Sequence, residues 1–205
     1  MTEKEILGLF EKQGALLKGH FKLSSGLHSE KYLQCAIVLQ YPDIAEKLAK
    51  LLVKNFSKEK IGVVIGPALG GITLAYEVAR AVGKRGLFAE RHPSTGSGWR
   101  PEPAEGRQDA KMVLRRGFSI SKGEKALVVE DVVTTGGSTK EVIDLVKSFG
   151  ADVIGVGVII DRSAAKIDFG APFKSLAKIN VETFEEKDCP LCKKNIPVTK
   201  PGSRR

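Results

Sequence analysis

Between Ala126 and Thr139 a short apolar run stops at two adjacent carboxylates and passes into a loop of hydroxyls and glycines. The run Ala126-Leu127-Val128-Val129 has the continuous hydrophobicity of a strand buried on both faces of a parallel sheet. Glu130 and Asp131 end it, Val132 and Val133 follow, and Thr134, Thr135, Gly136, Gly137 and Ser138 form the loop. Beyond the loop, Val142, Leu145, Val146 and Phe149 recur at helical spacing, and Gly150 supplies the stop. Ser138 with Glu141 three residues later reads as a capping box at the helix start. A loop between a strand end and a helix N-terminus presents free backbone N–H groups at the positive end of the helix dipole. It attracts an anion, and glycines let a phosphate reach the backbone.

This is neither of the two common nucleotide loops. No Lys follows the glycines, and the spacing is not G-x-G-x-x-G. Two carboxylates beside a phosphate would repel it unless they face another part of the same ligand. Ribose hydroxyls answer that description, because a carboxylate accepts their hydrogen bonds while the phosphate sits further along the loop. The motif therefore asks for a ribose 5-phosphate. As a purely structural strand-to-helix turn it would have no need of Glu130 and Asp131. A second loop, Gly66-Pro67-Ala68-Leu69-Gly70-Gly71, also joins a strand to a helix. Many α/β turns look like it, but beside the first it offers a second anion cradle, suited to a ligand with phosphates at two separated points.

The segment from Glu130 to Ser138 resembles the phosphoribosyl-diphosphate (PRPP) loop of the type I phosphoribosyltransferases. The resemblance implies that Glu130 and Asp131 hold the ribose hydroxyls and that Thr134, Thr135, Gly136, Gly137 and Ser138 hold the 5-phosphate, with Val132 and Val133 also against PRPP. The loop with Pro67 and Ala68 would take the pyrophosphate. The stretch Gly19-His20-Phe21-Lys22-Leu23-Ser24-Ser25-Gly26-Leu27-His28-Ser29-Glu30-Lys31-Tyr32 resembles the N-terminal motif of the orotate branch; adenine and hypoxanthine enzymes carry other hoods. By that likeness Ser24, Ser25 and Gly26 face a carboxylated pyrimidine, Thr134 borders it, and Tyr32 packs on its ring or on the ribose side. Arg162, after the strand 153–160, is the side chain for a two-pronged grip on the carboxylate. The likeness runs along most of residues 15–165. It departs in two places: Ser24 stands where many members have Lys, and a short basic loop of the family is replaced by Glu90-Arg91-His92, a long insertion, and Lys111-Met112-Val113-Leu114-Arg115-Arg116-Gly117.

The remaining elements agree with an α/β fold: a parallel-sheet core of the type I phosphoribosyltransferase kind, helices on both faces, and a small N-terminal hood. Thr2 and Glu5 form a capping box before a helix with Ile6, Leu9 and Phe10 on one face. Gly19–Gln34 alternates like a hairpin, and Pro42 opens a helix at its first turn. Strands are expected at 61–65, 86–90, 126–129 and 153–160, with helices at 72–82 and 139–149 between them. Ligands in such sheets lie beyond the carboxyl ends of the strands, where both glycine loops fall. The chain divides into a base-recognising hood at 1–40, a core at 41–185 with a mobile lid at 91–117, and a basic tail at 186–205. Residues 91–111 hold three Pro and three Gly without an apolar period, which suits a lid or a tolerated surface insertion over 93–108.

The net charge of +9 leaves nucleic acid or a small polyanion open as partners. Residues 186–205 carry six Lys/Arg against two acids, +4 of that total, without an aromatic side chain to stack on bases. This is read as solvated surface, and nucleic acid as an improbable partner. Three cysteines, an odd number, argue for a reducing cytoplasm, and no apolar run has membrane-spanning length. Cys189-Pro190-Leu191-Cys192 is half of a zinc-site spacing with no second pair after it. It fits two ordinary thiols in a turn, or four thiolates drawn from the two tails of a homodimer.

What the resemblance implies is transfer of the phosphoribosyl group of PRPP to N1 of orotate, with Mg²⁺ held mainly by PRPP and water, in a homodimer. Lys111, Arg91 and His92 of the lid would neutralise the leaving pyrophosphate, and Glu130 and Asp131 would steady the ribose as charge develops. The alternatives are a purine phosphoribosyltransferase, for which Arg162 would have no carboxylate to meet, and a PRPP-sensing regulator that binds nucleic acid.

Overall fold

The computed structural model describes residues 1–23, 26–91 and 111–200. The chain opens with helix α1 (Glu3–Lys12), where the Thr2 hydroxyl caps the Glu5 N–H and the Glu5 carboxylate accepts from the Thr2 N–H. Strands β1 (Leu16–Lys22) and β2 (His28–Leu33) pair antiparallel, as the alternation at 19–34 predicts. A single turn, α2 (Ala36–Leu39), leads to α3 (Pro42–Lys54), with Pro in its first turn.

The α/β alternation then runs β3 (Val63–Pro67), α4 (Gly70–Val82), β4 (Arg85–Arg91), β5 (Met112–Val113), β6 (Lys125–Val133), α5 (Gly137–Ser148), β7 (Asp152–Asp161) and β8 (Phe173–Lys178). These strands form one sheet in the order β5-β4-β3-β6-β7-β8, parallel except for β5. Gly83 and Gly150 turn left-handed after α4 and α5, and Gly150 is the stop expected of it. Strands β5 and β8 are additions to the sequence reading. The first has two residues and lies at the return of the 91–117 segment; the second, Phe-Lys-Ser-Leu-Ala-Lys, has a weak apolar signal because it is an edge strand.

Alternation along the central strands sorts the core into two layers. Val64, Leu127 and Val129 face α3 and α4, together with Leu48, Leu52, Leu74 and Val78. Val63, Ile65, Ala126 and Val128 face α5, with Val142, Ile143 and Val146. The covered sheet therefore presents β3 and β6 side by side in its middle, each ending in a loop that starts a helix. Those loops open at the same edge because the two strands are parallel.

The hood is a second, smaller sheet in the order β1-β2-β9, where β9 (Thr183–Phe184) pairs antiparallel with β2. The chain then makes a tight turn at Glu186–Asp188 and a short helix α6 (Pro190–Lys193). It returns along β1, with the Lys22 N–H donating to the Thr199 carbonyl (2.9 Å) and the Thr199 N–H to the His20 carbonyl (2.8 Å). The segment anticipated as a solvated tail is thus folded onto the hood through Thr199, and its lysines remain exposed on the outer side. Among the described residues, no helix is long and apolar enough to cross a membrane.

Candidate active site

Strand β6 carries the acidic pair to the carboxyl edge of the sheet. Both side chains are half-buried and are met by local donors. The Thr139 hydroxyl donates to a Glu130 carboxylate oxygen, and the Val132 N–H donates to Asp131 Oδ1 at 2.9 Å. These local donors do not offset the loss of water. Burial pushes the Glu130 carboxyl up to about 7, helped by the neighbouring Asp131 charge and opposed by Thr139. Burial also raises Asp131, against its backbone hydrogen bonds. The pair is poised to accept more hydrogen bonds than the protein supplies.

The loops on either side supply the opposite electrostatics. Helix α5 begins after Gly136, which is left-handed (φ 77°), and no side chain caps its first N–H groups. Helix α4 begins after Leu69, also without a side-chain cap. Neither helix has an acid in its first turn, whereas α1 has Glu3 and Glu5 and α3 has Asp43. A helix start left without cap or acid retains donors and a positive dipole end for an external anion. The Ser138–Glu141 capping box expected from the sequence does not form. Ser138 lies inside the helix, and Glu141 instead accepts from both terminal nitrogens of Arg91 (2.7 and 3.0 Å).

The two loops are in direct contact. A Cβ on Gly70 would lie 2.7 to 2.9 Å from the Asp131 carboxylate, so only glycine lets the start of α4 approach the acidic pair. Gly66 is equally constrained, since its Cβ would meet the Val129 carbonyl oxygen at 2.8 Å and that of Gly71 at 2.7 Å. The Ala68–Leu69 peptide is cis, and the Ala68 N–H donates to Ala89 at 2.7 Å, tying the loop to β4. Pro67 is the last residue of β3, and Thr134 and Thr135 are exposed at the mouth of the site.

The hood closes the third side. The Arg162 N–H donates to the Val133 carbonyl (2.8 Å), which sets Arg162 beside the start of the Thr134 loop. Its Nε is buried without a hydrogen-bond partner among the described residues, and burial pulls its pKa below the ordinary value. Cys35 and Tyr32 are its titratable neighbours from the hood. The Cys35 thiol reaches the Asp131 carbonyl oxygen at 3.7 Å, and burial keeps that thiol protonated by raising its pKa well above normal. Tyr32 packs on Phe21 with ring centroids 5.8 Å apart. Gly26 is left-handed (φ 83°) in the β1–β2 turn, while Ser24 and Ser25 lie outside the described residues.

Of the lid residues, Arg91 ends β4 and is held on Glu141, His92 lies outside the described residues, and Lys111 is exposed immediately before β5. Pairing of Arg91 with Met112 brings the two roots of the segment together at the carboxyl edge of the sheet. Two contributors, Thr139 and Cys35, are not anticipated by the sequence, and the cradle glycine Gly70 has the added role of letting α4 approach Asp131. The signal for Thr139 is a hydroxyl in the first turn of the helix that follows the acidic pair.

The phosphoribosyl transferase domain model matches residues 36–189. Over all 205 residues, and all of the relative's length, the chain is 56% identical to the orotate phosphoribosyltransferase of Caldanaerobacter subterraneus. The enzyme of that name from a Thermoanaerobacter species is 54% identical over the same span. This chain belongs to the orotate phosphoribosyltransferases. The crystal structure of the orotate phosphoribosyltransferase from Aeropyrum pernix superposes with a TM-score of 0.64 at 26% identity, covering 85% of this chain and 93% of that one. The parallel core with helices on both faces is the type I arrangement expected of the family.

The raised carboxyl of Glu130 has a consequence for binding in this phosphoribosyltransferase. Ribose hydroxyls donating to Glu130 would favour its ionised form, so a ligand bound in that way would lower a pKa that is about 7 without it. Binding then releases protons, and ribose 5-phosphate affinity should rise by up to about tenfold per pH unit as pH increases toward 7, then level off. Calorimetric titration between about pH 6 and pH 8, in two buffers of different ionisation enthalpy, measures both effects. Glu130→Gln should remove this part of the proton release; the same release in that variant would contradict the assignment.

Proposed function

We propose that the chain joins orotate to the phosphoribosyl group of PRPP, N1 of the base displacing pyrophosphate from C1 to give orotidine 5'-monophosphate. The observation that carries this reading is the half-buried Glu130–Asp131 pair lying between two uncapped helix starts, with the unpartnered Arg162 Nε at the adjacent strand end. The 5-phosphate goes to the N–H groups at the start of α5, with Thr134 and Thr135. The ribose hydroxyls go to Glu130 and Asp131, and the pyrophosphate to the loop from Pro67 to Gly71. Arg162 takes the orotate carboxylate, and Tyr32 with the Ser24–Gly26 turn borders the base.

The reaction needs no covalent intermediate. As the C1–O bond breaks, positive charge grows on the ribose and negative charge on the leaving pyrophosphate. Carboxylates fixed under the sugar favour the first, and N–H groups at the start of α4 favour the second. These groups are held by the sheet edge before the substrate arrives, so little reorganisation accompanies the step. Mg²⁺ fits this site by its donor set: the half-buried carboxylates of Glu130 and Asp131 are the hard oxygen groups that would help to hold it beside the substrate. When bound it neutralises phosphate charge. Arg91 on Glu141 anchors the lid root, and Lys111, exposed beside it, meets the pyrophosphate on closure.

A screen with PRPP, Mg²⁺ and each nucleobase, following pyrophosphate release, tests the substrate. Orotate alone should turn over, and Arg162→Lys should raise the orotate KM at least about tenfold more than the PRPP KM, because Lys loses the fork. Turnover with a purine, or equal effects on both substrates, would contradict the reading.

The functional unit is a homodimer in which the lid serves the neighbouring subunit. Lys111→Ala and Asp131→Ala should each be nearly inactive. In a crossed dimer, mixing them leaves one site with both lesions and one with neither, so activity returns to roughly a quarter of normal with random exchange. Failure of mixing to restore activity after confirmed subunit exchange would refute the crossing.

A further inference from the structure

Away from the sheet edge, the hood gathers His20 of β1, His28 of β2, Cys189 and Cys192, with one ligand atom from each lying within 4.8 Å of the others. His20 Nε2 is 2.8 Å from His28 Nδ1, 3.6 Å from Cys189 Sγ and 3.7 Å from Cys192 Sγ, while Cys192 Sγ is 3.3 Å from His28 Nδ1. A tetrahedral ion with Zn–N near 2.0 Å and Zn–S near 2.3 Å sets its ligand atoms roughly 3.3 to 3.8 Å apart. The four separations named run from 2.8 to 3.7 Å, with the two ring nitrogens closer together than a bound ion would set them, and all the ligand atoms lie within 4.8 Å, so small shifts bring the quartet to such a cage. His20, His28 and Cys189 are buried, and the three thiols of the chain are free.

The hydrogen bonding of the two rings calls for a cation. His20 Nδ1 lies 2.7 Å from the Ile196 carbonyl, so that nitrogen carries a proton and donates. With both rings neutral, His20 Nε2 is then an acceptor, and His28 Nδ1 must donate to it. That leaves His28 Nε2 as a bare acceptor, buried without a hydrogen-bond partner among the described residues and facing the Glu186 carboxylate at 4.0 Å. A metal ion among the four atoms removes the conflict. Both facing nitrogens become ligands, His20 keeps its proton on the Ile196 carbonyl, and His28 carries its proton on Nε2, toward Glu186. Outer contacts of this kind, from ligand histidine to carbonyl and carboxylate, are the ordinary support of zinc sites.

We propose that His20, His28, Cys189 and Cys192 bind one Zn²⁺ as a closed structural site within a single subunit. Two thiolates and two imidazoles suit zinc, and four protein ligands leave no open position for chemistry. The Cys-x-x-Cys turn is formed by Pro190 and the start of α6, and both histidines come from the hairpin that holds Gly26 at its tip. The ion therefore fastens the returning C-terminal segment to the strands that carry the base-recognising turn. The thiolates come from the subunit's own chain, and no second tail is required.

The test uses full-length protein without a histidine tag, prepared without chelator. Elemental mass spectrometry should find about one zinc per chain, and exchange with Co²⁺ should give the visible bands and thiolate charge-transfer absorption of a tetrahedral site. Cys189→Ser with Cys192→Ser should abolish the zinc and the cobalt spectrum, and stripping the wild type with chelator should lower its Tm, restored by Zn²⁺. None of these readouts depends on turnover, so they stand or fall apart from the assigned reaction. Wild-type protein that holds no stoichiometric metal and takes up no Co²⁺ would overturn the proposal. So would an intact mass lighter by the two thiol hydrogens, showing Cys189 and Cys192 joined to each other.

Discussion

Two adjacent carboxylates held half out of water at the end of β6 are the constraint around which the site is arranged. Their neighbours make sense as responses to it. Gly70 is glycine because a Cβ would strike the Asp131 carboxylate, and Thr139 on the first turn of α5 points its hydroxyl back at Glu130. The helix starts on both sides lack caps and first-turn acids, so positive potential from two dipoles faces the acidic pair. A ligand with phosphates at its ends and a diol between them satisfies all three features together. A smaller anion would satisfy one helix start and leave the carboxylates unmet.

The core was legible from periodicity because its strands are buried on both faces and its helices on one. Asp152–Asp161 falls where the apolar run at 153–160 predicts it, and α4 and α5 follow from helical spacing with terminal glycines; Val63–Pro67 lies two residues later than the strand expected at 61–65, and Lys125–Val133 continues through the acidic pair, four residues past the expected end at 129, because pairing with β7 extends it. What escaped notice was short or at an edge. Strands β5 and β9 have two residues each, too few for any period, and β8 is defined by its pairing with β7 rather than by its own pattern. The Ser138–Glu141 box failed for a different reason. A local motif competes with tertiary partners, and Arg91, far away in sequence, holds Glu141.

The same distinction runs through the functional residues. The acidic pair and its loop are contiguous, so their chemistry can be read from a dozen residues. Arg162 belongs to the site through the register of β7 against β6, which sets it beside Val133, and sequence offers it only as a residue at a strand end. His20 and His28 are harder still. Each looks like an ordinary polar position in a hairpin until the C-terminal segment lays Cys189 and Cys192 over them, more than a hundred and sixty residues away. Long-range assembly of that kind leaves a visible half, the Cys-x-x-Cys spacing, and hides the other.

The polarity of one ligand across the sheet edge underlies each of these roles, and a crystal structure of the PRPP–Mg²⁺ complex measures it directly. The 5-phosphate should lie within hydrogen-bond distance of the N–H groups of Gly137, Ser138 and Thr139, with the ribose hydroxyls on Glu130 and Asp131 and the pyrophosphate at the loop from Pro67 to Gly71. A ligand bound in the reverse sense, or one whose ribose hydroxyls do not reach the acidic pair, would contradict it.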